Sequence, residues 1–398
     1  MNRKLISEIS LFFIVFVLFG FSPQSTDTIS SEHPRKIVVF KERFDKEADQ
    51  DALLNNSGAI KIKRLALINS MAVYLPSQAE EALKKREEIL RIDEDLVLYA
   101  TEKKSGEKPK SSQPPQELTW GIERIRADWA WPITEGSTIK VAILDTGIDL
   151  DHPDLQDNIK GNVNIIRPKK NGDDDNGHGT HVAGIVAAVD NEIGVIGTGP
   201  KISLYAVKVL DKKGIGYLSD LIDAIDWCLA NNVQVINMSF GSPADNQSFH
   251  EAIIKAHQAG ITQITSAGNN GENGGAIDFP AKYPETIAVS AIDQYGNFAS
   301  FSSYGPEIDL TAPGEDIKSC YIHGSYEIMS GTSMSAPHVT GIAALILTSI
   351  PPFRYDLDGD GSWDPEEIRV KLKDSAENLL LPPFQQGAGL ARADLAIY

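Results

Sequence analysis

Cysteine is almost missing from this chain: there are two in 398 residues, Cys228 and Cys320, in separate segments. Their spacing matches no metal-binding pattern, and both are expected to be plain buried thiols. Basic residues are in the minority, with 37 Lys and Arg against 55 Asp and Glu and a formal net charge of −18. A protein so acidic cannot release counterions from phosphates, which excludes nucleic acid as a partner. The same charge favours solubility and offers carboxylates to cations such as calcium. Long apolar runs are lacking as well, apart from Leu11 to Phe21, which follows Arg3 and Lys4 and precedes Ser22-Pro-Gln24. That run is short for a membrane span but fits the apolar core of a signal peptide over residues 1–25. The chain beyond it is then expected to be secreted and extracellular, with an uncleaved N-terminal anchor as the other reading. No stable membrane span is expected in the mature form, which should act as a monomer. Internal repeats are absent.

What remains is ordinary for a globular protein, 42% hydrophobic and 23% charged, and long enough for one large domain and one small one. The small one runs from 35 to 100. Strands are expected at Lys36–Phe40, Ile60–Ile68, Met71–Leu75 and Asp95–Tyr99, and helices at Lys46–Asn55 and Ser77–Leu90. Ser77 with Glu80 has the spacing of a capping box. The order βαββαβ suits a small α+β, ferredoxin-like sheet. Residues 101–115, Thr101-Glu-Lys-Lys-Ser-Gly-Glu-Lys-Pro-Lys-Ser-Ser-Gln-Pro-Pro115, are polar and Pro-rich, an exposed linker open to cleavage. From 116 to 398 short apolar strands (Ile139–Leu144, Ser203–Val209, Val233–Met238, Ile261–Thr265, Thr286–Ser290) alternate with helices (His178–Val189, Leu218–Asn231, Ser248–Ala259, Ser333–Thr348). Continuous apolar strands alternating with helices imply an α/β fold, a three-layer parallel sheet between helices. In such sheets a site forms at the carboxyl ends of the strands.

Three segments put polar residues where packing alone has no use for them. Asp145 ends the strand Val-Ala-Ile-Leu144 and enters the turn Thr146-Gly147. His178 opens a helix within Asn176-Gly-His-Gly-Thr-His-Val-Ala-Gly184. Ser333 sits in Ser330-Gly-Thr-Ser-Met-Ser-Ala-Pro-His338, where a helix start offers free N–H groups and a positive dipole end to an oxyanion. His181, His338 and Ser335 read as structural. Asn270 and the run Asp173–Asp175 read as solvated loop, the latter close enough to His178 to raise its basicity slightly.

Asp-Thr-Gly-Ile-Asp, His-Gly-Thr-His-Val-Ala-Gly and Gly-Thr-Ser-Met-Ser-Ala-Pro-His resemble the three active-site signatures of the subtilisin family, in that family's order. The resemblance extends over about residues 116–395, and 35–100 is similar to the family's inhibitory propeptide. It implies a serine endopeptidase acting on proteins and peptides, in which Ser333 attacks, His178 carries the proton and Asp145 orients the imidazole. In Ser266-Ala-Gly-Asn-Asn270 it picks Asn269 as the oxyanion donor. It also implies that substrate adds as a strand along Lys213–Tyr217, which contains Gly214 and Gly216, and along Ser239-Phe240-Gly241. Ser266, Ala267 and Gly268 would wall the specificity pocket opposite. Asp278 falls at the pocket floor, where a carboxylate would favour Lys or Arg; a structural loop carboxylate is the other reading. The propeptide would act as an intramolecular inhibitor, threading its tail through the site and being cut there.

Asp356-Leu-Asp-Gly-Asp-Gly-Ser-Trp-Asp-Pro-Glu-Glu367 is an EF-hand-type calcium loop. Asp356, Asp358 and Asp360 stand at positions one, three and five, Ser362 gives a carbonyl, Asp364 a water-mediated contact, and Glu367 is the twelfth ligand. Pro351–Tyr355 does not read as an entering helix. A second calcium site follows from the resemblance alone: Gln116, Asp154, Asn191 and the carbonyls of Val189, Ile193 and Val195. Two other classes compete with the peptidase, an inactive extracellular calcium-binding module and a serine hydrolase acting on esters or by transpeptidation.

Overall fold

The structure, a computed structural model, describes residues 33–100, 103–104, 113–351 and 353–398. The signal-peptide segment therefore lies outside the described residues, as does most of the linker. Among the described residues no helix is long and apolar enough to cross a membrane.

The N-terminal unit is built from β1 (Arg35–Phe40), α1 (Glu47–Asn56), β2 (Ile60–Leu65), β3 (Ser70–Tyr74), α2 (Ser77–Leu83) and β4 (Ile89–Glu94). Its sheet has the order β2-β3-β1-β4, antiparallel throughout. The expected order βαββαβ holds, but its last strand is Ile89–Glu94, not Asp95–Tyr99. The helix begun at Ser77 stops at Leu83, because the run Lys84–Glu88 carries charge and no apolar side chain. Ser77 makes no capping bond; Pro76 holds the cap position, and Glu80 pairs instead with Lys36 at 3.0 Å and Lys84 at 2.8 Å.

Alternation along β1 gives this sheet two apolar faces. Val38 and Phe40 pack with Leu54 of α1 and Leu83 of α2, whereas Ile37 and Val39 join the core of the larger domain. Two further strands leave the unit, β5 (Val97–Ala100) and β6 (Lys103–Lys104), and neither pairs with its sheet. Lys103–Lys104 was expected in an exposed linker and is instead a paired strand.

The larger domain holds β7 (Lys140–Asp145), β8 (Ile159–Asn164), α3 (His178–Ala187), β9 (Ser203–Lys208), β10 (Ile215–Tyr217), α4 (Leu218–Ala230), β11 (Val235–Met238), β12 (Phe240–Gly241), α5 (Gln247–Gln258), β13 (Thr262–Ser266), β14 (Ile287–Ile292), β15 (Ile308–Pro313), β16 (Ile317–Tyr321), β17 (Ser325–Ser330), α6 (Thr332–Ile346) and α7 (Pro365–Asp374). Seven of the strands form a parallel sheet in the order β15-β14-β13-β11-β7-β9-β8. Buried on both faces, β7 sends Val141 and Ile143 toward α3 and α6, and Ala142 and Leu144 toward α4 and α5. This is the three-layer α/β fold expected from the apolar strands. α6 is buried along its whole length, so it can be apolar nearly all round.

Candidate active site

The site forms where strands end and helices begin. β7 delivers Asp145, fully buried, and its Oδ1 accepts both from His178 Nδ1 at 2.7 Å and from the Thr146 N–H at 2.7 Å. His178 is the first residue of α3. Gly179, the second, has no room for a side chain: a Cβ there would meet Gly147 O at 2.1 Å and Asp145 Cβ at 3.0 Å. Glycine thus lets the helix start press against the strand end. The join is closed by Thr146, whose Oγ1 accepts from Gly179 N at 2.9 Å and whose carbonyl accepts from Lys208 Nζ.

In the acidic run before His178 the middle residue departs from the solvated loop expected there. Asp174 is buried, and it accepts from the N–H groups of Asn176, Gly177 and Thr180 and from the Thr180 hydroxyl. It therefore satisfies donors at the start of α3 that would otherwise lack partners. Burial pushes its carboxyl above the usual range, opposed by those bonds. Asp175 ion-pairs with the buried Lys208 at 2.7 Å. Asp173 and Asp175 both keep exposed positions, Asp173 accepting from Leu150 N at 3.2 Å.

Ser333 is the second residue of α6, and its placement depends on a proline. Pro337 has no N–H, so the carbonyl four residues earlier, that of Ser333, has no helical donor. Ser239 Oγ supplies one at 3.0 Å, while the Ser333 hydroxyl donates to Ser239 O at 3.0 Å. Behind Ser239 lies Asn237 of β11, which donates to Ser239 Oγ at 2.9 Å and accepts from Thr340 Oγ1 at 2.9 Å. Asn269 follows β13, and its Oδ1 accepts from Thr332 N and Thr332 Oγ1, both at 3.0 Å. With the amide oxygen committed, Nδ2 is the end left to donate to a ligand. Asn237 was missed by the sequence reading; an amide inside an otherwise apolar strand was the available signal.

The two segments Ile215–Tyr217 and Phe240–Gly241 flank a strand of the chain itself. β5 is the central strand of a three-stranded sheet between β10 and β12, antiparallel to both. Leu98 pairs with Gly216 and is fully buried, and Ala100 donates to Gly214 O at 2.9 Å while facing Phe240. Further along, β6 pairs with β17, Lys103 opposite Ser330 and Lys104 opposite Met329.

Asp278 lies between two glycine walls. A Cβ on Gly241 would meet Asp278 Cβ at 2.7 Å, and one on Gly268 would meet Asp278 Oδ2 at 2.6 Å. Ser239 and Ser266, at the ends of β11 and β13, and Ala267 continue those walls and are buried. Asn270 is no solvated loop residue: its Nδ2 donates to both Asp278 oxygens at 3.1 Å and to Ala276 O at 3.0 Å. Burial raises the Asp278 carboxyl above its ordinary range, against the lowering influence of Asn270 and Lys282.

His181 and His338 are structural, as expected. His181 Nε2 faces the carbonyls of Ile317 and Glu327 at 3.0 and 3.1 Å, and burial lowers its pKa to about 3. His338 Nδ1 faces Met334 O at 2.8 Å, with its pKa lowered by burial to about 4. Ser335 donates to Ala312 O at 3.2 Å. Cys228 and Cys320 are free and buried.

Two regions could hold cations. In the loop 356–367, Asp356, Asp358 and the buried Glu367 place carboxylate oxygens within 4.8 Å of one another. Asp360 turns to Ser362 N at 2.7 Å, and Asp364 caps α7 through the N–H groups of Glu366 and Glu367, so neither joins that cluster. Residues 353–355 are a turn, and Trp363 Nε1 donates to Ser349 O at 3.0 Å just past α6. In the second region the buried Asp154 accepts from Asn191 Nδ2 at 2.8 Å, Val195 N at 2.9 Å and the Tyr326 hydroxyl at 2.9 Å. Gln116 Oε1 accepts from Asn191 N at 2.6 Å, Asn191 Oδ1 from Ile193 N at 2.8 Å, and Val189 N donates to Asp154 O at 2.9 Å. All six expected residues are therefore neighbours.

A strand-end aspartate bonded to a helix-start histidine, with a serine at a second helix start, is the set of groups that a Ser-His-Asp hydrolase uses. The model of the Subtilase family matches residues 136–389. The chain is 36% identical over 402 residues to Subtilisin E of Bacillus subtilis (strain 168), covering 98% of both chains. It is 42% identical over 282 residues to the thermostable alkaline protease of Halalkalibacterium halodurans, covering 71% of this chain and 74% of that one. It is 40% identical over 284 residues to Subtilisin DY of Bacillus licheniformis, covering 71% of this chain and 99% of that one. The chain belongs to the subtilase family and is a serine endopeptidase.

Replacing Asn269 by Leu is expected to lower kcat by about 10²–10³ with little change in KM, a magnitude established on subtilisin itself. Steady-state kinetics on a peptide reporter checks this; a kcat within twofold of the parent would remove Asn269 from the oxyanion site.

Proposed function

We propose that the chain is a secreted, calcium-stabilised endopeptidase made as a self-processing zymogen, with Asp145, His178 and Ser333 as its triad. The observation that supports this reading is β5 lying as the middle strand between β10 and β12, the two segments read as the substrate's edges. Ser333 Oγ attacks the peptide carbonyl carbon while His178 Nε2 takes its proton. Asp145 Oδ1 holds His178 Nδ1–H, which fixes the tautomer and stabilises the imidazolium. The oxyanion is met by Asn269 Nδ2 and the N-terminal N–H groups of α6. His178 then hands the proton to the leaving amine, and water hydrolyses the ester by the reverse sequence. An inactive calcium-binding module would need a defect in this set, and each of the four residues is present. A fluorophosphonate should label the processed parent on Ser333, and Ser333→Ala should lose about six orders of magnitude in kcat, the scale known for subtilisin. Failure to label a processed, folded parent would favour the inactive module.

Asp278 gives the specificity pocket a carboxylate suited to Lys or Arg. Its pKa is raised in the folded state, so folding binds a proton more readily than the unfolded chain does. Its contribution to stability therefore declines as pH rises through the interval above the ordinary aspartate value. Its charge, and with it selectivity for basic residues, grows over the same interval. The ratio of cleavage after Arg to cleavage after Phe in reporter peptides should increase with pH in the parent and stay flat in Asp278→Asn. A Phe preference at every pH would make Asp278 a structural carboxylate.

The donor sets fit hard cations: three clustered carboxylates in the loop 356–367, and a buried carboxylate with two amides around Asp154. Calcium held there would supply stability, about 2.7 kcal/mol per site at a hundredfold excess over Kd. Chelation should lower the melting temperature while leaving kcat per folded molecule within about twofold. An unchanged melting temperature would sink both sites. Secretion follows from the charged and apolar start of the chain, Arg3 to Phe21.

A further inference from the structure

An amide side chain inside a buried parallel strand needs partners at both its ends. β11 is paired on each side, with β7 and with β13. Its side chains alternate: Ile236 and Met238 join the core layer of α4 and α5, whereas Val235 joins that of α6, and Asn237 falls on the Val235 side. There it stands in a directed series of hydrogen bonds. Thr340 Oγ1 donates to Asn237 Oδ1 at 2.9 Å, Asn237 Nδ2 to Ser239 Oγ at 2.9 Å, and Ser239 Oγ to the Ser333 carbonyl at 3.0 Å. All four residues are fully buried.

The series has a direction because each hydroxyl carries one proton. Ser239 gives its proton to Ser333 only while the Asn237 amide presents nitrogen to it. With the amide turned over, Ser239 would donate to Asn237 Oδ1, and the carbonyl that Pro337 deprives of a helical donor would lose its partner. Thr340 decides between the two. Its hydroxyl reaches Asn237 Oδ1 and also Ala336 O, at 3.0 Å, and donation to Asn237 keeps the amide oxygen on Thr340 and the nitrogen on Ser239.

We infer that Thr340 and Asn237 are positioning residues for Ser333. The inference rests on Ser333 being the nucleophile, and it adds two residues that act through Ser239. Ser239 grips Ser333 at two points, accepting its hydroxyl on the main-chain carbonyl and holding its carbonyl with the side chain. Without the Thr340 proton, either Asn237 Oδ1 or the Ser333 carbonyl is left unmet in a dry core, and the packed segments shift to relieve it. A small shift between the start of α6 and the end of β11 displaces Ser333 Oγ from its line of attack. The main-chain groups of β10 and β12 that pair with a peptide stay in place. Turnover then falls while KM holds.

Processed enzyme from full-length parent, Thr340→Val and Thr340→Ser chains is compared, with rates expressed per site titrated to completion by a fluorophosphonate. Thr340→Val removes the proton at nearly constant shape, and kcat should fall about tenfold with KM within about twofold. Thr340→Ser keeps the proton and should stay within about twofold of the parent in both. In a Ser239→Ala background, where the series is already cut, Thr340→Val should change kcat by less than about twofold. Thr340→Ala removes the same proton and carries the same expectations should the Val chain fail to mature. A role in stability alone would lower the melting temperature and the number of titrated sites and leave kcat per site unchanged. That result, or an undiminished loss in the Ser239→Ala background, would overturn the assignment while leaving Ser333 as nucleophile. A processed, folded parent that takes up no fluorophosphonate on Ser333 would instead bring down the triad reading, and this inference with it.

Discussion

The Ser333 carbonyl, left without a helical donor by Pro337, has to find a partner inside a dry core. A buried acceptor without one costs about 1–3 kcal/mol, so the position of Ser239 is tightly constrained. Through Asn237 and Thr340 that requirement passes into β11 and back into α6, closing a small polar circuit in an otherwise apolar layer. The helix α6 is thereby keyed to β11, the strand that leads through Ser239 into β12. Histidine and aspartate are keyed to the next strand, β7, by an equivalent join through Thr146 and Gly179. The reactive groups inherit their spacing from the parallel sheet, not from the loops that carry them.

The N-terminal unit uses the same economy of faces. One side of its sheet is covered by its own two helices, and the other is completed by α4 and α5 of the larger domain. Polar contacts cross this boundary as well. Asp95 accepts from Ser219 N and Oγ at the start of α4 and pairs with Arg35 at 2.8 Å, and Lys63 meets Asp220 and Asp223 at 2.7 and 2.9 Å. Carboxylates capping helix starts and lysines facing an acidic helix hold the unit in one orientation, so that its tail runs directly between the two edge strands.

Much of this was legible in the sequence because the signals were redundant. Five strands of the sheet announced themselves by apolar runs and four helices by alternating with them, with boundaries shifted by at most two residues. The catalytic segments combined small residues with polar ones in a pattern that packing does not need. What escaped was decided by partners distant in the chain. β4 follows a run of helix-forming residues, and only its pairing with β1 makes it a strand. β8, with Gly161 and Asn162 inside it, is an edge strand supported by β9 alone. Asp174 and Asn270 looked like loop residues because their donors and acceptors, at the start of α3 and on Asp278, are set by turns that composition does not specify.

Trp363 sits inside the acidic loop with its indole N–H tied to the carbonyl of Ser349 and its ring 6.0 Å from that of the buried Tyr355. An indole in that position responds optically to any rearrangement of the oxygens around it. The loop therefore carries its own fluorophore, and energy transfer from the neighbouring phenol would register whether the segment beyond α6 is drawn together or relaxed.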